Sequence, residues 1–455
     1  MPTIPQKNKV LTNNSIAVIN YIRKGANVDY QNAVPEVTKD AGSMRSVGAI
    51  IMNSPSLQNE FLHGLLNRVA LVLVSSKSYT NPWSMFKRGV IDFGEVVEDV
   101  FVNLAKPFAF DDADSEGTIY KKEFPDVKVA FYVMNYQIFY KDTIEQDKLS
   151  KAFTSASGMS DLITKIIESM YTSMEYDEFI VMKYMLAKRI LAGMMYPVSI
   201  PDSTLTENMK EIVATIKSVS NKITFMDSKY NLFKVKTHTQ KADQYVILSS
   251  DFDASMDVNV LASAFNMDKA QFMGQRVLVD SFGALDNERL ALIFKKDSTY
   301  VAITEDEVRA LNSIPAIMVD KDFFMIFDNL QRVTEKYHEQ DLYWNYWLHV
   351  WKTFAISPFA NGVLFVPAVP NVISITVTPA TASVTAGSMI QLTAVITTEN
   401  FAPQTIVWTS SDVTKATVDS IGLVTVLEGA TGTVVITASS QIEPETKGEV
   451  TLTIV

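Results

Sequence analysis

The sequence predicts an α+β chain of more than one domain, closed by an all-β module. Three observations carry that expectation. The longest helical pattern, Ser160 to Met195, lies between two strand-rich regions. Beyond Pro370 the composition turns abruptly to Thr, Val and Ser, with regularly spaced turns and little helical period. Finally, 455 residues exceed what a single hydrophobic core organises, so two or three domains are expected.

Composition narrows the function classes. Apolar residues make up 47% of the chain and aromatics 10%, enough for well-packed interiors. Cysteine is absent, which excludes disulfides and thiolate metal sites. The formal net charge of −11 argues against a surface built to grip nucleic-acid phosphates, and it does not exclude a container whose wall must not stick to DNA. Met1 to Asn14 is polar and lacks an apolar signal core, and no run of about twenty apolar residues predicts a membrane span.

Taken in order, residues 1–47 carry six basic and three acidic side chains, with Gly25, Pro35 and Gly42 among them, and read as an arm with one brief helix at Ile16, Ile19 and Ile22. Ser54-Pro55 opens a helix through Leu57, Phe61 and Leu65, and Val69 to Val74 follows as a buried strand. From Ser78 to Met134 two strands, Val96–Val102 and Val127–Val133, flank an acidic tip. They predict a projecting hairpin. An isolated hairpin is marginal in water, so either a neighbouring subunit or its own domain must cover it. In the long helical pattern Ser160 is a cap and Gly193 with Pro197 the stop, while Met170, Met174, Phe179, Met182, Leu186 and Ile190 recur at helical spacing. Thr204–Val219 predicts another amphipathic helix. Strands at Tyr245–Leu248, Val277–Val279, Leu290–Phe294 and Ala316–Val319, with a helix at Val258–Phe265, predict a compact mixed lobe. The most aromatic stretch, Asp341 to Trp351, leads to a strand at Val363–Val366 and a linker marked by Pro367 and Pro370. Six short strands between Ile373 and Val455 predict a β-sandwich, with two basic residues against seven acidic ones.

Catalytic signatures do not emerge. There is no phosphate-cradling Gly-Lys-Ser/Thr loop, nucleophile elbow or His-Glu-x-x-His helix, and the four histidines lack ligand spacing. His349, among aromatics, reads as a packed residue, and Asp251, Asp253 and Asp257 read as acids that cap and solvate a turn. Asp112, Asp114 and Glu116, with Gly117 and then Glu123, approach a calcium-loop pattern and make a weak metal candidate. Glu at the fifth ligand place, Pro125 and strand-like flanks favour a solvated acidic tip instead. No cofactor is expected.

Two resemblances remain. Asn81-Pro-Trp-Ser-Met-Phe-Lys-Arg-Gly89 through Glu98 resembles the extended-loop region of major capsid proteins from phi29-like small podoviruses. Ala262–Met267, Asp320–Asn329, Leu342–Trp351 and Phe359–Asn361 are similar to further segments of that family, in the same order, and 296–313 reads as an insertion. Val377-Thr-Pro379, Gln391–Ala394, Val407–Asp412 and Gly422–Thr425 resemble a bacterial immunoglobulin-like group 2 domain with Trp408 as its core aromatic. The capsid resemblance implies a Hong Kong 97-type fold over 1–368: an N-terminal arm (1–47), an extended loop (78–134), a peripheral domain on a spine helix (160–195) and an axial domain (201–337), with the Ig-like module at 371–455. It implies a virion protein, assembled in the bacterial cytoplasm, that forms the pentamers and hexamers of a tailed-phage head around double-stranded DNA without reading its sequence. A scaffolding protein, a portal and head fibres or other virion proteins are the implied partners, with no membrane. Trp83, Phe86, Lys87 and Arg88 are the expected contacts between subunits. The alternative is a bacterial surface adhesin carrying an Ig-like module; an enzyme with an accessory sandwich ranks third.

Overall fold

A computed structural model describes residues 16–17, 19–38, 41–61, 64, 79–91, 95–108, 122–145, 158–258, 275–341 and 343–455. The expected strand at Val69–Val74, residues 259–265 of the expected helix at Val258–Phe265, and Asp112, Asp114 and Glu116 lie outside these residues. The N-terminal segment corrects its reading as an arm. Helices α1 (19–25), α2 (Val28–Ala33) and α3 (Ala41–Met52) fold onto the body, and α4 (55–61) is the helix expected to open at Ser54-Pro55. Ile19, Ile22, Tyr30, Val34, Val37 and Val47 are buried in the same core as the long helix. Asn20 ties the segment together, donating to the Val37 carbonyl at 2.9 Å and accepting from the Val37 amide at 2.8 Å. The brief helix at Ile19 and Ile22 and the one opening at Pro55 follow their sequence signals, whereas α2 and α3 were not legible there.

Strand β1 (Lys87–Val90) is followed by β2 (Val97–Val102) and β3 (Val127–Tyr132), which pair only with each other as an antiparallel hairpin among the described residues. Next come β4 (Tyr136–Glu145) and helix α5 (Gly158–Leu191), 34 residues long and starting two residues before the expected Ser160 cap. Its end follows the expected chemistry. Gly193 adopts φ +61° and donates to the Ile190 carbonyl, while Met194 donates to Arg189, a Schellman closure.

The lobe after α5 comprises β5 (Tyr196–Ser199), α6 (Met209–Lys222), β6 (Gln244–Ser249), α7 (Ser250–Met256), β7 (Gln275–Val279), α8 (Asn287–Ile293), α9 (Glu305–Asn312) and β8 (Ala316–Asp320). The strand expected at Leu290–Phe294 is helix α8 instead. Asp286 accepts from the Arg289 amide at 2.9 Å and caps that turn, which a five-residue apolar run cannot reveal. Strands β9 (Phe324–His338), β10 (Tyr343–Ile356) and β11 (Gly362–Val366) complete the body.

Two sheets organise these elements. The four-stranded sheet runs β1-β9-β10-β4, and the five-stranded sheet β5-β11-β8-β6-β7. The aromatic stretch thus becomes a central strand. Trp344, Tyr346, Leu348 and Val350 point to the core and the alternate residues point away. Strand β11 pairs with β5 and β8 in the lobe sheet, not in the sheet against α5. Every residue of β11 is buried because both faces are covered. Leu364 and Val366 face the main core; Val363 and Phe365 face a second core under α6 with Ile212 and Ile216. The 296–313 stretch packs on α5 through Tyr300 against Tyr184, and Thr304 and Glu307 form a capping box for α9.

The terminal module is a sandwich of β12 (Asn371–Thr378), β13 (Thr381–Val384), β14 (Met389–Gln391), β15 (Thr393–Glu399), β16 (Ile406–Ser410), β17 (Ala416–Val418), β18 (Leu423–Val426), β19 (Gly432–Ser440) and β20 (Lys447–Ile454). Strands β13 and β17 were not legible in sequence, being only four and three residues long. Leu392, Val424, Ile436 and Leu452 are fully buried between the sheets. Trp408 is half-buried at the edge of this core rather than at its centre, with its ring over Gly422.

The module seats on the end of α5. Phe401 packs against the main core, and a Cβ at Gly193 would lie 2.7 Å from the Ala402 carbonyl. Gly193 therefore serves both the helix end and the seat. Gly193→Val is expected to cost about 1–3 kcal/mol in backbone strain and contact. Limited proteolysis should then cut near Pro367–Pro370. Resistance equal to the parent chain would reject this account of the seat.

Candidate assembly surface

The segment expected to reach a neighbour divides in two. Residues 79–90 turn inward. Trp83 is fully buried, donates Nε1–H to the Leu278 carbonyl at 3.3 Å, and meets Phe179 of α5 at 5.4 Å and Phe324 of β9 at 5.7 Å between ring centroids. Phe86 lies 4.9 Å from both Tyr245 of β6 and Phe324. These two rings wedge the two sheets and the long helix together. The expectation that Trp83 and Phe86 contact another subunit is therefore corrected: within one chain they have no free surface. Their aromatic-and-basic context looks the same in sequence whether the cover comes from the chain itself or from a neighbour.

Lys87 is tied inward as well. It lies 3.2 Å from Glu178 and 3.0 Å from Asp328, and Lys352 pairs with the same two acids, reaching Asp328 at 2.7 Å. Asn81 donates to the other Glu178 oxygen at 2.7 Å. Burial alone would lift the Asp328 carboxyl, but Lys352 and Lys87 overcome it and hold Asp328 below the usual carboxylate range. Burial likewise pulls Lys87 down, and Glu178 with Asp328 more than reverses it. Charges placed this deep are costly unless each is matched, and here β1, α5, β9 and β10 each contribute a partner. Arg88 alone of the four stays accessible, paired with Asp322 at the surface.

The hairpin β2–β3 turns outward. One face leans on the body: Phe101 stacks on Phe359 at 5.7 Å, Asp99 accepts from Ser357 at 3.0 Å, and Lys128 donates to the Phe233 carbonyl at 2.6 Å. The opposite face is apolar. Val100 faces Val129, Val102 faces Val127, and Phe131 lies opposite Glu98. These five apolar side chains are between 40% and 62% exposed. A contiguous apolar sheet face in water marks a surface awaiting a partner. Sequence reading located the hairpin but missed these residues. The signal was available: both faces of β2 and β3 carry apolar side chains, whereas a hairpin half in water alternates with polar ones. Near the tip, Glu123 of the metal candidate lies 2.5 Å from Lys106.

The body is thus internally locked, with one apolar face of the hairpin left exposed. Over 65% of this chain and 86% of the compared chain it superposes on the capsid structure of Staphylococcus phage Andhra, with TM-score 0.51 and 12% identity. The fold is thus of the Hong Kong 97 type. The chain belongs to the Phi29-like phage major capsid protein family, whose model matches residues 19–366. The bacterial Ig-like domain (group 2) model matches residues 371–450. The major capsid protein of Bacillus phage GA-1 is 34% identical over 366 residues, covering 79% of this chain and 72% of that one. That of Bacillus phage B103 is 32% identical over 434 residues, covering 94% and 90%. The protein is a self-associating structural component of a virion capsid, which sets aside the surface-adhesin alternative.

Proposed function

We propose that the β2–β3 hairpin is the extended loop of the capsid fold and that its free apolar face lies across a neighbouring subunit within pentamers and hexamers. The observation that carries this reading is the stripe of Val100, Val102, Val127, Val129 and Phe131 left open by a chain whose other sheets are covered on their core sides. In this reading α5 is the spine, the four-stranded sheet belongs to the peripheral domain, and the lobe built on β5 to β8 and β11 is the axial domain. Many modest contacts of this kind sum into a rigid shell, because each subunit is both giver and receiver. The role is packing rather than turnover, without catalysis. The net charge of −11 lets packaged double-stranded DNA move past the wall without sequence-specific contact. A scaffolding protein, a portal and head fibres are the partners such a shell takes, with assembly in the bacterial cytoplasm. Expressed full-length chain is expected to run as capsomers or shells on size exclusion and in negative-stain images. A chain that stays monomeric at every concentration tested would count against it.

A further inference from the structure

The seat of the Ig-like module on the body encloses a small crevice beside Gly193. It has a volume of about 30 Å³ and takes its walls from both sides: Arg189, Lys229 and Tyr230 from the body, Thr405 and Gln441 from the module. Two cations line it and, among the described residues, no Asp or Glu does, in a chain whose net charge is −11. Lys229 is answered from outside the crevice by Asp227 at 3.3 Å. Arg189 forms no ion pair among the described residues. Its guanidinium packs 5.4 Å from the centre of the Phe323 ring, Nη2 reaches only the Ser357 carbonyl at 3.4 Å, and the buried Nε has no acceptor among the described residues. The helix end beneath it offers little, because Met194 and Gly193 already donate to the Arg189 and Ile190 carbonyls. Burial pulls the Arg189 guanidinium below its usual range, the signature of a charge without a counter-ion. On the module side, the Thr405 hydroxyl and the Gln441 amide make no hydrogen bond among the described residues.

We propose that this crevice binds one small oxyanion of the inorganic phosphate class, and that the ion ties the module to the body. The donor set fits that chemistry. A guanidinium matches two oxygens of an oxyanion at once, Lys229 adds a point charge, and Thr405 with Gln441 can donate from the opposite wall. Water would satisfy an Arg189 N–H but leave its charge without a counter-ion, whereas an anion supplies both. Size narrows the ligand further. A single water needs about 10–15 Å³, so this volume admits a group of a few heavy atoms and keeps out a peptide or a nucleic-acid strand. Because the walls belong to two folding units, the ion holds only the seated arrangement, and seating then follows ion concentration by mass action.

The test titrates full-length chain with inorganic phosphate, sodium chloride holding the ionic strength constant. Binding is read by calorimetry and seating by limited proteolysis near Pro367–Pro370. Saturable binding of one phosphate per chain is expected, with cleavage slowed about tenfold at ten times the dissociation constant. Arg189→Met keeps the apolar contact with Phe323 and is expected to weaken binding by about tenfold or more. Gln441→Glu leaves Arg189 and the core in place and brings a carboxylate into the crevice. It is expected to weaken binding by a similar factor and to slow cleavage in phosphate-free buffer, as its own charge replaces the ion. Should Arg189→Met fail to fold, Gln441→Glu decides. No saturable binding, protection equalled by chloride alone, or binding that survives the substitutions overturns the proposal. Binding that leaves the cleavage rate unchanged marks an adventitious ion only and overturns it as well.

Discussion

Val129→Lys with Phe131→Lys is expected to yield a folded chain that no longer forms heads. Both side chains stand on the free face of β3, so neither substitution opens a cavity within the chain. Lys at 131 would face Glu98 and Lys at 129 would face Val100, so the ladder to β2 keeps its register without a like-charge pair. In the assembled shell the same positions would bury two ammonium groups per contact, and the one at 129 would face only Val100. Burying a valine or phenylalanine is worth about 1.5–3 kcal/mol, and an unmatched charge removes more than that. Because each subunit makes the contact at least once, the penalty repeats around every capsomer. Circular dichroism and thermal melting should match the parent chain, while sedimentation and electron microscopy show no shells. Heads of normal size and yield from this variant would dismiss the free face as an assembly surface.

Trp83→Ala should act on the other side of the division, destabilising the isolated chain by about 3–5 kcal/mol. The indole is fully buried against Phe86, Phe179 and Phe324, and its N–H meets the Leu278 carbonyl at 3.3 Å. Truncation would leave a cavity where α5, β9 and the lobe strand β7 meet, and would orphan that carbonyl. Thermal or urea unfolding of the body should shift markedly at low protein concentration, before any assembly. The Ig-like module has a separate core, so its own transition should move little. If Trp83→Ala melted like the parent yet failed to assemble, its placement in the core would be refuted and an inter-subunit role restored.

Much of the fold was legible in the residues. Local period and stop chemistry marked the long helix to within two residues at its start, because Gly193 and a run of spaced apolar side chains act over short range. The hairpin strands were legible as Val96–Val102 and Val127–Val133, and the tail as a sandwich, because alternation and turn residues are also local signals. The sheet against the long helix was less legible. Strands β4 and β10 pair residues some 200 positions apart, and nothing near Tyr136 announces that partner.

What the amino-acid sequence determined by itself is the long helix, the paired strands of the hairpin, the terminal sandwich and the acidic balance, since each depends on residues near one another. Tertiary structure alone decided which aromatic and basic side chains are covered by their own chain. Trp83 and Lys87 sit 17 and 13 residues before Val100, yet the first is closed in by Phe179 and Phe324 and the second is tied to Glu178 and Asp328, while Val100 meets water. Burial is set by which distant surfaces arrive first in space, and that is a property of the folded chain rather than of any stretch of it.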